Sequence, residues 1–525
     1  MTFGRTVDPT HDRPDGRDRR WIPRSRSDWL LVLGIVTAAF LVRALPLLRG
    51  AGLDGDLGYD DGVYFGAAVA LTNGVLPYRD FLLLHPPGIA VLLSPFALIA
   101  NATNDATGFA VGRLAFMALG AINAGLVVLL AGQYGRRAGL LSGLLYAVWF
   151  TAARVERTTN LIGPQTTFVL IAMLIIVSAR PLTTRRAVAA GVPLGLAAAI
   201  QVWTAVPVAV VVVAIALEAR ADGSRWWRPA IGLLGGAAVA FIAVCLPFLV
   251  SAPAEFIRYV FIDQLARPDL GVSLVTRLQT LEGLPVSSAG SRLVNAAGVG
   301  IAILGAGAVV LVARRVPAAR IWCALVVAET AYLMVSPTFF PHYSAWTAPA
   351  AAIVLGTAAS LVVDAVTWSR PLRLLTTAAC IGVIATLALG IPRYQGTVIH
   401  SARLEADLGD ARCVSADAPN LLLVTTGLRR NIEHGCPLVL DPAGVSYETD
   451  RGHLAKGAVG ASRRGAPGYQ RAMQAYYGNS DAAMFVRLAA DGLTASTQKA
   501  ISDKLPIVVK RGTVTILLPR AVTFP

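Results

Sequence analysis

Two adjacent carboxylates, Asp60 and Asp61, follow the first strongly apolar run of the chain, in the stretch Gly58-Tyr59-Asp60-Asp61-Gly62-Val63-Tyr64-Phe65. An acidic pair beside lipid is costly and needs a reason. One reason is structural: Asp60 caps the helix that follows, and Asp61 is favoured by the helix dipole. The other is a working carboxylate. The same loop continues Gly74-Val75-Leu76-Pro77-Tyr78-Arg79-Asp80-Phe81 and ends His85-Pro86-Pro87-Gly88. A histidine beside an apolar run is either a structural residue or a group that meets an anion, and the two prolines after it fix the chain direction. Further along come Arg154, Glu156 and Arg157. An arginine fork binds two oxygens of a phosphate, whereas an interfacial arginine can also simply snorkel.

These residues must be held by a particular kind of scaffold. Of 525 residues, 55% are apolar and only 15% charged, with a mean hydropathy of +0.61. Soluble chains carry about 25% charged residues. A wholly soluble enzyme, a disordered chain and a fibrous protein are excluded, which leaves a polytopic helical membrane protein. The net charge of +15 comes almost entirely from arginine, with only four lysines among 46 basic residues. Most sit in short loops between apolar runs, so they orient the chain in a membrane rather than bind nucleic acid.

Placing the arginine-rich short loops in the cytoplasm predicts about eleven spans, near 29–48, 107–131, 138–153, 160–179, 187–202, 204–218, 229–250, 293–313, 320–336, 343–364 and 374–391. Residues 1–28 then form a cytoplasmic tail, and the membrane domain runs over 29–391. Two long loops, 50–106 and 251–292, lie outside. The apolar stretch Pro87–Ala100 is too short to cross and is read as interfacial or re-entrant. Residues 392–525 form a small external α/β domain, with strand-like runs at Leu421–Thr425, Leu438–Leu440, Ile507–Lys510 and Thr513–Leu518. The expected fold is thus an all-α polytopic bundle with a small C-terminal α/β extracytoplasmic domain. Cys413 and Cys436 fall in that domain, where an oxidising compartment favours a disulfide.

The acidic pair with its tyrosine, the short helix, the Pro-Tyr-Arg-Asp-Phe turn and the His-Pro-Pro-Gly motif resemble the first external loop of GT-C glycosyltransferases. That group includes protein O-mannosyltransferases, the lipid A aminoarabinose transferase and actinobacterial cell-envelope transferases. The resemblance covers residues 29–157 well, extends weakly through the later spans and does not extend convincingly into the C-terminal segment. It implies a helical bundle with an outward-facing site, a polyprenyl-phosphate-linked sugar donor and inversion at the anomeric carbon. Asp60 would be the general base, with Asp61 orienting Asp60 or the acceptor. His85, Arg154, Arg157 and His342 would meet the donor phosphate. Tyr59, Tyr64, Arg79, Asp80, Gln264, Arg267 and Tyr343 would contact substrate. Asn160 and Gln165 stand where a second acid is expected, so no metal is predicted, although a divalent cation stays open. The acceptor would be a glycan, lipoglycan or protein, with membrane lipid around the enzyme and no nucleic acid partner.

Two regions carry a second reading. Residues 258–268 read as an amphipathic helix on the membrane, with Arg258 and Arg267 toward head groups. The cluster Ser336–Tyr343 reads as an aromatic belt, or as a sugar-stacking site through Tyr343 and His342. A transporter or lipid-linked-sugar flippase is the alternative function. It would carry internal repeats and midplane charges, and no clear repeat is seen.

Overall fold

A computed structural model describes residues 21–178, 182–221, 225, 227–282, 292–366, 370–388, 396–450 and 459–520. The expected tail 1–28 lies mostly outside the described residues. The bundle consists of α1 (Arg26–Leu48), α2 (Tyr59–Thr72), α3 (Gly88–Ala102), α4 (Asp105–Gly132), α5 (Arg136–Ala147), α6 (Phe150–Val155), α7 (Ile162–Ser178), α8 (Thr184–Ile200), α9 (Ala205–Ala221) and α10 (Trp227–Ser251). It continues through α11 (Pro253–Ile257), a π-helical turn at Arg258–Ile262, α12 (Asp263–Leu265), α13 (Leu274–Leu281), α14 (Arg292–Arg315), α15 (Arg320–Val335), α16 (Ala348–Val366) and α17 (Arg370–Ala388).

A helix sits at each of the expected spans, but not all are built to cross alone. Among the described residues, six helices are long and apolar enough, including α1, α4 and α10. The span expected at 138–153 is broken into α5 and α6, because the chain leaves helical geometry at Val148-Trp149. Three shorter apolar helices cover Gly88–Ala102, Ile162–Ser178 and Val202–Glu218. The chain is an integral membrane protein, and helix length supports a smaller set of full crossings than the arginine pattern predicts.

Buried charge ties the bundle together. Arg43 of α1 is buried and pairs with Glu156, which also accepts from Asn123 (2.9 Å) and from the Tyr146 hydroxyl (2.7 Å). In a lipid surround, an arginine inside a span is tolerated only with such partners. Gly120 keeps this network close: a Cβ there would sit 2.6 Å from Arg43 Nε.

The loop before α4 is mostly helical. α3 is 15 residues long, short of the ~20 needed to cross, and packs against α2, α4 and α8. Between α2 and α3, Tyr78 is the one non-glycine residue with positive φ (70°) among those described. Such backbone needs support. The buried Tyr78 ring packs 5.0 Å from Phe256, and its hydroxyl donates to His85 O at 2.7 Å.

The C-terminal segment folds around a four-stranded sheet in the order β1-β2-β4-β3, from Val414–Ala416, Ala482–Phe485, Ile507–Arg511 and Val514–Leu518. β1 and β2 run parallel, the other pairs antiparallel, and β3–β4 is a hairpin turning at Gly512 with φ +62°. Leu421–Thr425 is not a strand. Its residues lie largely in a helix, Pro419–Val424, opened by Pro419 in the first turn. A short apolar run buried on all sides reads equally as either element. Leu438–Leu440 forms no strand either. Cys413 and Cys436 are joined by a disulfide beside β1, with Cα atoms 5.7 Å apart. Replacing both by serine is expected to lower the stability of this segment by about 3 kcal/mol, from the loop of chain the bond closes. Thermal melts of the two forms, with thiol labelling before and after reductant, check it.

This domain docks on the start of α2. Asn420 donates to Gly58 O at 2.8 Å and to Asp56 Oδ1 at 2.9 Å. Gly62 permits the approach, because a Cβ there would meet the Pro419 carbonyl carbon at 2.8 Å. The apolar core accordingly runs without a break from α2 and α3 into the sheet, through Phe65, Leu93, Leu421 and Met484.

Candidate active site

α2 begins at Tyr59, so both carboxylates lie in its first turn, where the dipole favours negative charge. The cap position is Gly58, with no side-chain cap bond, so neither acid serves as the cap. Their environments differ. Asp61 is buried: Arg113 of α4 donates to its Oδ2 from Nε (2.9 Å) and Nη2 (2.5 Å). The Thr159 amide and hydroxyl both donate to its Oδ1 at 2.7 Å. Arg113 also donates to Gly55 O (2.9 Å) and Leu53 O, and lies 4.0 Å from the Phe109 ring centroid. The Asp61 oxygens are occupied by these donors, which join α2, α4 and the turn after α6.

Asp60 remains accessible, with 34% of its side chain exposed. The His342 Nε2 lies 3.4 Å from its Oδ2. His342 stacks on Phe340 and meets Tyr343 edge-on. Desolvation lowers the His342 pKa, with Asp60 opposing and Arg154 and Arg267 adding to the fall. His342 therefore faces the acid directly, beside Arg154.

On the other flank stands His85, buried and edge-on to Tyr64 with centroids 5.7 Å apart. Burial pushes its pKa well down, helped by Arg267, against the side chain of Gln201 within hydrogen-bonding reach. His85 is thus a neutral donor or acceptor rather than a cation. Its Nδ1 and the Gln201 Oε1 are buried and meet no partner among the described residues. Buried polar atoms are seldom left so without a ligand or water.

The segment 258–268 departs from expectation. It is a short helix, a π-turn and a further short turn, and its polar residues face the protein. Arg258 donates to Glu448 O at 2.7 Å, and Gln264 to Leu84 O. Arg267 donates to the Tyr343 hydroxyl at 3.1 Å and lies 5.5 Å from the Tyr447 ring. Both guanidiniums thus have protein carbonyl, hydroxyl or ring partners. The surrounding tyrosines and Asp441 favour the charged form of Arg267 although desolvation opposes it.

Tyr59 reaches the C-terminal domain. Its hydroxyl donates to Asp441 Oδ1 at 2.6 Å and accepts from the Ala443 amide at 2.8 Å. Arg79 and Asp80 are not brought to this group. They pair at the surface at 2.8 Å, and Asp80 closes its turn by accepting from the Leu76 amide at 2.7 Å. Their charges are matched locally, which removes the reason to assign them to substrate. Arg157 is buried and donates to Val42 O of α1 at 3.1 Å, a partner set inside the bundle. Among the described residues, no three His, Cys, Asp or Glu side chains are grouped to hold a metal ion.

Sequence reasoning missed Arg113, Thr159, Gln201's place beside His85 and Asp441. Arg113 had a signal, since an ionisable residue inside an apolar run marks a site or a partner. Asp441 had none, because it reaches Tyr59 only through the docking of a separate domain.

Comparison with known proteins bears on this arrangement. The family model for glycosyltransferase family 87 matches residues 83–337, just under half the chain. No curated protein sequence matches. ArnT from Cupriavidus metallidurans in the apo state aligns over 94% of this chain and 98% of its own, with a TM-score of 0.58 and 18% identity. The same protein bound to undecaprenyl phosphate gives 0.56 and 15%, over 94% and 98%. The chain is similar in fold to these GT-C membrane glycosyltransferases. AglB from Archaeoglobus fulgidus, in complex with an inhibitory peptide and a dolichol-phosphate, aligns at 0.56 and 11%, over 91% of this chain and 71% of its own. At such identities the likeness is one of fold. The family match contains His85, Arg154 and Arg267 and stops short of Asp60 and His342. Those two reach the site from opposite sides of it.

Proposed function

We propose that the chain is an inverting glycosyltransferase that moves a sugar from a polyprenyl-phosphate donor to a hydroxyl of an envelope glycan, lipoglycan or protein. The sugar is of the mannose or arabinose class. The observation that carries this reading is the division of labour in the acidic pair: Asp61 is locked to Arg113, while Asp60 stays open beside His342. Asp60 takes the acceptor proton as that oxygen bonds to the anomeric carbon. The bond from that carbon to the phosphate oxygen breaks on the opposite face, which inverts the centre. Polyprenyl phosphate leaves, and its charge meets Arg154 and Arg267, with neutral His85 offering a hydrogen bond. Lipid phosphates bound in two of the similar structures support such a donor. The arginine distribution supports an external site and an external C-terminal domain.

The test uses purified full-length protein in nanodiscs with polyprenyl-phosphate mannose and polyprenyl-phosphate arabinose in turn, and an extract of envelope glycans as acceptor. One donor is expected to release polyprenyl phosphate only with acceptor present, and the product linkage to be inverted by NMR. Retained configuration, or no release from either donor, would count against the reading.

A further inference from the structure

The phosphate-facing groups near Asp60 leave a second set of arginines unexplained. Arg487, at the end of β2, lies 4.2 Å from the ring centroid of Tyr59, the residue before Asp60. Its Nη1 is buried and meets no acceptor among the described residues. Arg463, in the helix Val459–Arg464, is only 4% exposed and lies 5.8 Å from the Tyr469 ring. Its Nε and Nη1 are likewise without an acceptor among the described residues. So are the Tyr469 hydroxyl and Asp491 Oδ1 beside them. Guanidinium N–H groups left buried and unmet are costly, and several in one place point to something missing between them.

The acids nearby do not satisfy these donors. Asp417 accepts instead from the backbone amides of Val486 (2.9 Å) and Arg487 (2.6 Å). Asp441 accepts from Tyr59 and from the Gly444 amide at 2.7 Å. Asp491 feels both guanidiniums yet keeps one oxygen unmet. Burial and the nearness of Asp491 push Asp417 toward its neutral form, so it is a poor counter-ion for either guanidinium. Asp441 connects this cluster to the site, since it feels both Asp60 and Arg463. Unmet donors flanked by an unmet carboxylate oxygen and a hydroxyl suit an oxyanion carried on a hydroxylated molecule.

We propose that Arg463 and Arg487 form an oxyanion subsite for the acceptor, which is therefore a glycoside carrying a phosphodiester or a carboxylate close to the hydroxyl that Asp60 activates. This rests on the reading of Asp60 as the base. In that reading the donor phosphate meets Arg154 and Arg267, so the second pair serves a different anion. Asp491 and Tyr469 receive hydroxyls of the same molecule.

Binding to the purified full-length chain tests it, by titration with phosphatidylinositol, octyl glucuronide, neutral octyl glucoside and undecaprenyl phosphate. At least one of the two anionic probes, phosphatidylinositol and octyl glucuronide, is expected to bind about tenfold more tightly than octyl glucoside. A preference for phosphatidylinositol assigns a lipid headgroup, and one for the glucuronide a glycan carboxylate. Arg487→Gln and Arg463→Gln are each expected to remove that preference, and Arg487→Lys to restore part of it, while melting temperature and undecaprenyl phosphate binding stay at wild-type values. Equal affinity for charged and neutral glycosides, an unchanged preference in both Gln variants, or equal loss of undecaprenyl phosphate would overturn the subsite. Failure of undecaprenyl phosphate to bind even the wild type would instead strike the donor reading, independently of the anion preference.

Discussion

Asp60→Asn is expected to lower sugar transfer by about 10²–10⁴-fold, the usual contribution of a positioned general base. Fold and donor binding should survive. Asp60 is partly exposed, its close side-chain neighbour is His342, and it takes no part in the buried bonds that hold α2. Asparagine keeps the shape and a hydrogen bond to the imidazole but cannot take the acceptor proton. The measurement is acceptor-dependent release of polyprenyl phosphate, with undecaprenyl phosphate binding as the control on folding. Full activity in the variant would remove Asp60 from the chemistry. A variant that loses binding and folded yield together would make Asp60 structural.

Asp61→Ala should fail in a different way. It leaves Arg113 buried among Leu53, Gly55 and Phe109 with no carboxylate, and breaking a buried pair costs about 3–5 kcal/mol. It also removes the acceptor for the Thr159 amide. The expected result is loss of folded protein, read as a lowered melting temperature and aggregation on size exclusion. Asp61→Asn with Arg113→Met removes both charges and should recover part of the loss, since the penalty lies in the unpaired charge. A stable Asp61→Asn protein with no activity would instead return Asp61 to the reaction. The two neighbouring acids thus give opposite signatures, one in rate and one in stability.

The C-terminal domain enters both results. Asn420 ties Gly58 and Asp56, and Asp441 holds Tyr59, so the turn that presents Asp60 is clamped from outside the bundle. The C-terminal domain thus borders the site. Its sequence offered a hairpin at Gly512 and a pair of cysteines, both local features, while the Pro419–Val424 helix was concealed in an apolar run.

Much of the scaffold was legible because lipid imposes it. A chain with 15% charged residues must satisfy its backbone internally, so helices follow from composition alone. The acidic pair and His-Pro-Pro-Gly pointed to the candidate site because each motif sets its own turn. Helix breaks were less legible, since Val148-Trp149 is apolar on both sides and carries no proline or glycine.

By itself, then, the sequence determined a membrane helical bundle, the place of its candidate site and the residue types that gather there. Only the tertiary structure decided which carboxylate is free. Asp60 and Asp61 are the same residue type in adjacent positions, and nothing local separates them. The difference arises because Arg113 and Thr159, distant in the chain, meet one side of α2, while His342 meets the other. A helix turns about 100° per residue, so neighbours in sequence face different surroundings. Which surroundings those are depends on contacts from elsewhere in the chain.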